Sequence, residues 1–339
     1  MSVMSKCILL MGVAVTNPIS AAPLQVRLAA PNKRVDLPGP REGEARYWNK
    51  DYLVTFQHDA SPDQPAVTIY DRDGSEVGTA TVWPDGSKEV IINGAAITEE
   101  RQIIVSGGAM DDKGAVAYFI ATVNGSGKLD GLLRTNPFVP KRICAAPDGS
   151  IWAVGFDREV DEGHSHEDYA LLRHLNFDHK VRETLIPRST LQLPSSVYPG
   201  GGTEIRCNSR EVAIYTGDDD EWITYDYRAK KVSYWKLPAF EKSEAQITGI
   251  ALAETGAVYA TIKKSGDMSI GLYQLKLSNG GIGEWIPVPG TVAPLNQSRV
   301  GILLGVDGNN LVYQASYNEW EQMSKQTLSF ARVPATNTN

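Results

Sequence analysis

The chain has 339 residues with a formal net charge of −7, and 42% of the residues are hydrophobic. This length and composition are sufficient for a globular core. The acidic balance argues against nucleic-acid binding, which requires a basic stripe, so we expect no nucleic-acid partner.

The first 22 residues form a segment of their own. Lys6 precedes an apolar run at residues 7–15, and small residues follow at 19–22. This order is typical of a secretory signal peptide and is too short to span a bilayer. We expect residues 1–22 to be removed and the mature protein to be secreted or periplasmic. An ordinary buried N-terminal strand is the alternative interpretation. No later segment is long enough for a membrane helix, so no membrane span is expected.

The rest of the chain repeats one pattern six times: an apolar run, a tight turn, a run rich in β-branched and aromatic residues, an acidic loop and a third run. The second runs begin at residues 53, 103, 151, 212, 257 and 311. Spacings of this size are typical of solenoids, propellers and repeat arrays. The repeat therefore predicts the architecture, although it does not identify a function.

The fifth repeat shows the pattern most clearly. Its runs at residues 247–253, 257–262, 270–278 and 282–288 are separated by turns that contain Gly at 254–256 and 279–281. Short runs of this kind joined by Gly-containing turns predict a four-stranded antiparallel sheet. We expect an all-β, six-bladed β-propeller with blades at 45–86, 89–140, 141–196, 197–242, 243–291 and 292–334.

The sixth repeat ends after three strands, at residues 327–333. Residues 24–29 (LQVRLA) are predicted to supply its fourth strand, because pairing the N-terminal strand with the last blade removes an exposed sheet edge. Residues 23–334 would then form a single domain followed by a tail at 335–339. A seventh blade hidden in residues 191–203 is disfavoured because that segment contains two Pro and three consecutive Gly.

The hairpin segments at residues 145–152 (AAPDGSIW) and 305–311 (GVDGNNL) resemble those of TolB-like six-bladed propellers. This group includes NHL-repeat proteins, gluconolactonases and regucalcin, and streptogramin lyases. The resemblance covers nearly the whole mature chain and implies the fold. The lactonases hold a divalent metal with acidic and Asn residues of inner strands, for which only Asn93 and Glu204 are candidates in this sequence. Streptogramin lyases use His and Glu of later blades, whereas all five histidines of this chain precede the fourth blade.

The channel wall of a propeller comes from the first strand of each blade. The polar residues of these strands are candidates for ligand binding: Arg46, Asn93, Arg142, Glu204, Arg206, Thr248 and Arg299. Arginines lining a channel can hold a carboxylate, and they can also bond to carbonyl groups between blades. A register slip of one residue would reverse which side chains face the channel.

The loops between second and third strands contain 17 of the 40 acidic residues but only five basic ones. They include Asp218, Asp219 and Asp220, which we add to the ligand-binding candidates. Clustered charge of one sign attracts counter-ions, so this face would suit a divalent cation or a basic partner. The alternative is that these loops are acidic only because they are solvated.

The densest group of metal-ligand side chains lies in residues 157–169, where His164, His166, Glu167 and Asp168 are predicted as a metal site for zinc or calcium. Imidazole and carboxylate groups are suitable ligands, although two histidines in an ordinary surface loop would look the same. Residues 218–221 do not follow the order of an EF-hand loop, which weakens the case for calcium.

Cys144 and Cys207 remain after the signal peptide is removed. Export to an oxidising compartment would allow a disulfide between them. Inner strands of adjacent blades are usually too far apart for one, which favours two free thiols.

These features predict a monomeric binding scaffold for a protein or a small-molecule ligand, which could be cationic, through an acidic loop face at the channel mouth. A metal-dependent hydrolase or lactonase at the same mouth is the alternative. No cofactor is required by any motif, apart from the divalent cation of that alternative.

Overall fold

The computed structural model describes residues 33–158, 170–176, 181–187, 202–217, 220–238, 245–264, 270–288, 300–316 and 325–332. All regular structure in these residues is β-strand. No helix in the described part of the chain is long and apolar enough to cross a membrane.

There are 24 strands in the described residues. In chain order, the first half comprises β1 (Lys33–Pro38), β2 (Glu44–Asn49), β3 (Tyr52–Gln57), β4 (Val67–Tyr70), β5 (Glu76–Ala80), β6 (Ser87–Ile97), β7 (Ile103–Asp111), β8 (Val116–Val123), β9 (Leu129–Arg134), β10 (Phe138–Ala145), β11 (Ile151–Asp157) and β12 (Ala170–Leu175). The second half comprises β13 (Val181–Pro187), β14 (Glu204–Cys207), β15 (Glu211–Thr216), β16 (Glu221–Asp226), β17 (Lys231–Lys236), β18 (Ala245–Leu252), β19 (Val258–Lys264), β20 (Ile270–Leu277), β21 (Gly283–Pro287), β22 (Val300–Asp307), β23 (Asn310–Ser316) and β24 (Lys325–Arg332).

The strands form six four-stranded antiparallel sheets, which confirms the predicted six-bladed β-propeller. Blades 1 to 5 are β2–β5, β6–β9, β10–β13, β14–β17 and β18–β21, each in sequence order. Blade 6 has the order β1-β24-β23-β22, so an N-terminal strand completes the last blade as predicted. That strand is β1, and its register pairs Leu37 with Gln326. Residues 24–29, for which the sequence predicts this role, lie outside the described residues.

The turns between the first and second strands of blades 3 and 5 follow the predicted chemistry. Gly149 and Gly256 have φ angles of +79° and +84°, which other residues adopt at a cost. Asp148 Oδ1 accepts hydrogen bonds from the backbone N and the hydroxyl of Ser150 at 2.9 and 2.5 Å. These local bonds keep the hairpins short.

The hydrophobic core lies between the blades. Six clusters of buried side chains each join two adjacent sheets, and together they complete the ring. The cluster between blades 6 and 1 contains Leu37, Trp48 and Phe330, so β1 contributes to the core as well as to sheet pairing. Trp48 meets Phe330 edge-on, with ring centroids 5.3 Å apart.

Glycines allow neighbouring inner strands to approach closely. A Cβ on Gly249 of blade 5 would lie 2.1 Å from the carbonyl oxygen of Leu303 in blade 6, and one on Gly305 would lie 2.7 Å from that of Trp48 in blade 1. Both contacts are far below van der Waals distance, so the ring closes only because these side chains are absent.

The inner strands of blades 3 and 4 are close enough for a disulfide between Cys144 and Cys207, whose Cα atoms are 6.0 Å apart. The prediction of two free thiols is therefore wrong. It assumes that inner strands are too widely spaced for a disulfide, whereas the distance between these two Cα atoms lies within the range that a disulfide allows.

Candidate functional site

The six inner strands surround a central cavity of about 80 Å³. Five of the seven predicted inner-strand candidates line it: Arg46, Arg142, Glu204, Arg206 and Thr248. Asn93 lies on β6 beside this cavity but is buried, and its side-chain nitrogen donates to the carbonyl oxygen of Pro140 at 3.0 Å. Arg299 lies outside the described residues.

Several of the inner strands contain bulges. The register between β18 and β19 shifts between Ile247 and Gly249, which leaves Thr248 outside the regular ladder. Its hydroxyl then bonds to Thr261 Oγ1 at 3.0 Å. Equivalent shifts occur at Asn93 and Lys141.

The cavity arginines tie neighbouring strands together. Arg142 Nη1 donates to the carbonyl oxygen of Asn93 in blade 2 at 2.7 Å. Arg206 Nε donates to that of Ile250 in blade 5 at 3.1 Å, and Arg46 Nη2 to that of Pro38 at 3.0 Å. The arginines therefore have a structural role.

Some of the guanidinium donors are left over. Arg142 uses only Nη1, while Arg206 uses Nε for Ile250 and Nη1 for Glu204 Oε2 at 2.8 Å. Within the described residues, Arg142 Nε and Nη2 and Arg206 Nη2 have no protein acceptor. Both side chains line the cavity, which makes these donors candidates for contact with a ligand.

Charge around the cavity is unevenly balanced. Arg46 pairs with Glu44 at 2.5 Å and Arg206 with Glu204 at 2.8 Å. Arg142, Lys141 and Arg158 of blade 3, by contrast, have no ion pair among the described residues. Burial first, and then the charges of Arg142 and Arg158, lower the pKa of Lys141. Among the described residues, this part of blade 3 is therefore positively charged.

Tyr47 of β2 is a cavity residue that the sequence does not single out. Its ring centroid lies 5.8 Å from Arg206 Cζ. Its hydroxyl is buried and has no hydrogen-bond partner in the part of the chain that the structure describes. Burial raises the pKa of Tyr47, so the phenol stays protonated and can donate. A Tyr in a strand is an ordinary β-former, and no sequence signal separates this one.

A second cavity, of about 370 Å³, lies where the hairpins between first and second strands converge. Tyr47, Ile205 and Arg206 line both cavities and mark the neck between them. The disulfide also lines the second cavity. A volume of this size is within the range of small-molecule sites, about 300–1,000 Å³.

Polar links between blades surround the second cavity. Arg72 of blade 1 contacts Asp307 of blade 6 and also pairs with Asp51 at 2.7 Å. Ser209 Oγ of blade 4 donates to Glu254 of blade 5 at 2.7 Å. These links hold the hairpins in place around the opening.

Most residues of the predicted acidic loop face and metal site lie outside the described part of the chain. They include His164, His166, Glu167, Asp168, Asp218 and Asp219. Asp220 is described, and it accepts a hydrogen bond from Tyr215 Oη at 3.2 Å. Asp157 pairs with Arg173 at 2.7 Å, and Glu221 is buried against Tyr234 Oη at 2.8 Å.

The described residues contain no group of three or more His, Cys, Asp or Glu side chains that could hold a metal ion. The predicted metal site therefore stays a prediction.

The fold defines a six-bladed β-propeller with a polar central channel. No protein-family model matches the sequence. No curated protein is similar enough in sequence to count as a relative.

Similar solved structures include a predicted exported protein from Bacteroides fragilis, 11% identical with a TM-score of 0.50, where the match covers 91% of this chain and 95% of the other. The major allergen of Malassezia sympodialis is 9% identical with a TM-score of 0.49, covering 90% and 98%. The periplasmic gluconolactonase of Pseudomonas aeruginosa is 11% identical with a TM-score of 0.44, covering 84% and 86%. At 11% identity, the similarity to the Bacteroides fragilis protein shows the fold alone.

Proposed function

We propose that the protein is an exported binding protein that holds a small-molecule ligand in its central channel. The observation that carries this proposal is the convergence of Arg142, Arg206 and Tyr47 on one cavity with hydrogen-bonding groups that the protein does not use. Propellers host many functions, so the proposal rests on this site and not on the fold.

Export is supported by two independent features. Residues 1–22 have the order of a signal peptide. The disulfide between Cys144 and Cys207 fits an oxidising compartment, because disulfides seldom persist in the reducing cytosol.

The sizes of the two cavities support a small organic ligand. The central cavity, at about 80 Å³, accommodates a single polar group, whereas the hairpin-end cavity, at about 370 Å³, accommodates the body of a small molecule. Because the two cavities share Tyr47 and Arg206, one ligand could occupy both.

A thermal-shift screen of anionic, neutral and cationic small molecules tests the proposal. Ala45 lines the central cavity, and Ala45→Phe would fill it, with Ala45→Leu as the smaller substitution if the first does not fold. Val77→Phe, at an exposed position on β5, is the matched control. We expect at least one class of compound to raise the melting temperature of the wild type and of Val77→Phe but not of Ala45→Phe. Shifts that persist in Ala45→Phe would contradict binding in the channel.

A metal-dependent hydrolase at the loop end of the channel is the competing proposal. It rests on His164, His166, Glu167 and Asp168, together with the acidic residues Asp218–Asp220 of the next loop. Elemental analysis of the mature protein, with thermal melts in zinc and calcium, tests it. A stoichiometric ion that is lost in His164→Ala/His166→Ala would favour the hydrolase over the binding protein.

A further inference from the structure

We infer that the channel ligand is a small organic carboxylate, with its carboxylate bound by Arg142, Arg206 and Tyr47 and its body in the hairpin-end cavity. This inference rests on the proposed function and adds the chemical class of the ligand. It differs from the expectation, based on the acidic loops, that the ligand is a cation.

The unused guanidinium donors match a carboxylate. Arg142 Nε and Nη2 form one edge of a planar guanidinium, and neither has an acceptor among the described residues. A carboxylate fits such an edge with two parallel hydrogen bonds. Arg206 Nη2 adds a further donor from the neighbouring blade.

The Tyr47 hydroxyl also lacks an acceptor. A buried donor without one is unfavourable, and it is rare in native proteins. The charges that act on the Tyr47 phenol are the cations Arg206 and Arg142 and the anion Glu204. A ligand oxygen held by these arginines would accept a hydrogen bond from the phenol, and the donor would then be satisfied.

The local charge favours an anion. Glu204 offsets Arg206, but Arg142 and the adjacent Lys141 have no acidic partner in the described part of the chain. Burial lowers the pKa of Lys141 most, and the charges of Arg142 and Arg158 lower it further. An anion would therefore be stabilised at this side of the channel, and a cation would be repelled.

The shapes of the two cavities fit a ligand with one carboxylate end. A carboxylate is small enough for the central cavity, and the neck residues Tyr47 and Arg206 line both cavities. A carboxylate held at the neck would direct the rest of its molecule towards the hairpin end, where polar groups such as Ser209 and Asn49 line the wall.

Isothermal titration tests the inference directly. The probes are mono- and dicarboxylates of two to six carbons, their neutral amides, inorganic phosphate and 1,4-diaminobutane. We expect at least one carboxylate to bind, and its amide and the diamine to bind at least tenfold more weakly.

Two substitutions locate the site. Tyr47→Phe removes only the hydroxyl, so we expect about tenfold weaker carboxylate binding, since one hydrogen bond to a charged group is lost. The melting temperature of the unliganded protein should not fall, because the hydroxyl has no partner to lose among the described residues. Arg142→Gln should weaken binding more, and Arg134→Gln, which removes the same charge from an exposed outer strand, should not change it.

The outcomes separate this inference from the proposed function. If the amides or the diamine bound as tightly as the carboxylates, and Ala45→Phe abolished this binding, the carboxylate class would be overturned. The channel would still be the binding site. Binding of phosphate alone would overturn the organic ligand in favour of an inorganic oxyanion. Carboxylate binding that is unchanged in both Tyr47→Phe and Arg142→Gln would overturn the assigned residues. No channel-dependent binding by any compound of the thermal-shift screen or the titrations would overturn the proposed function itself.

Discussion

Removing the disulfide between Cys144 and Cys207 is expected to lower the free energy of unfolding by about 4 kcal/mol. The two cysteines are 63 residues apart in sequence, so the bond restricts a long loop in the unfolded chain. The chain-entropy relation gives about 14 cal/mol/K for a loop of this length, which is about 4 kcal/mol at 25 °C. The bond also joins the inner strands of two adjacent blades, whose common core contains Trp152 and Ile205.

Urea unfolding measures this loss. The oxidised wild type, the reduced wild type and the double variant Cys144→Ala/Cys207→Ala should be compared under identical conditions. We expect the reduced protein and the variant to lose similar amounts, because both lack the same covalent restriction. A loss below about 1 kcal/mol in both, or two titratable thiols in the denatured oxidised protein, would refute the reasoning.

Three further predictions concern stability, each measured by chemical unfolding. Gly249→Ala places a Cβ 2.1 Å from the carbonyl oxygen of Leu303 and should lower the free energy of unfolding by about 1–3 kcal/mol. Gly125→Ala, with open space around it, is the control and should change this free energy by less than about 0.5 kcal/mol. Equal effects of the two substitutions would contradict the close approach of blades 5 and 6. Leu37→Ala in the closing strand β1 should lower the free energy of unfolding by about 2–5 kcal/mol, because Leu37 is buried. Arg34→Ala, at an exposed position of the same strand, should leave the free energy of unfolding nearly unchanged. No loss of stability in Leu37→Ala would argue against closure of the ring by β1. Burial raises the pKa of Glu211, so protonation favours the folded state, and stability should fall as the pH rises from about 4.5 through the raised pKa. Glu211→Gln should remove this part of the pH dependence. If the free energy of unfolding varied with pH in the same way in both proteins, the prediction would be wrong.

The blades could be predicted from the sequence because their signals are local. A hairpin needs Gly or Asn at its turn and alternating apolar residues beside it, and both features are visible in the short segments around Gly149 and Gly256. The closing role of an N-terminal strand was also predictable, since blade 6 lacked one strand. Its position was harder to place, because residues 33–38 carry only three apolar side chains.

The candidate site was predicted in part. Arg46, Arg142, Glu204, Arg206 and Thr248 stood out as polar residues on apolar inner strands, and all five line the cavity. The sequence could not show which of their donors remain unused, because that depends on carbonyl groups of the neighbouring blade.

Two features depend on the distance between blades and were therefore missed. The disulfide requires inner strands closer than the usual spacing. The close approach of blade 5 to blade 6, and of blade 6 to blade 1, depends on the absence of side chains at Gly249 and Gly305. Tyr47 became notable only when the structure showed that no described protein group accepts from its hydroxyl.

The most direct test of the channel site is a crystal structure of the mature protein grown with sodium selenate, with the oxyanion located by its anomalous scattering. We expect a selenate between the two cavities, with oxygens within about 3.2 Å of the guanidinium groups of Arg142 and Arg206 and of Tyr47 Oη. Selenate found only elsewhere, or a Tyr47 hydroxyl that bonds to another protein group, would contradict the channel site.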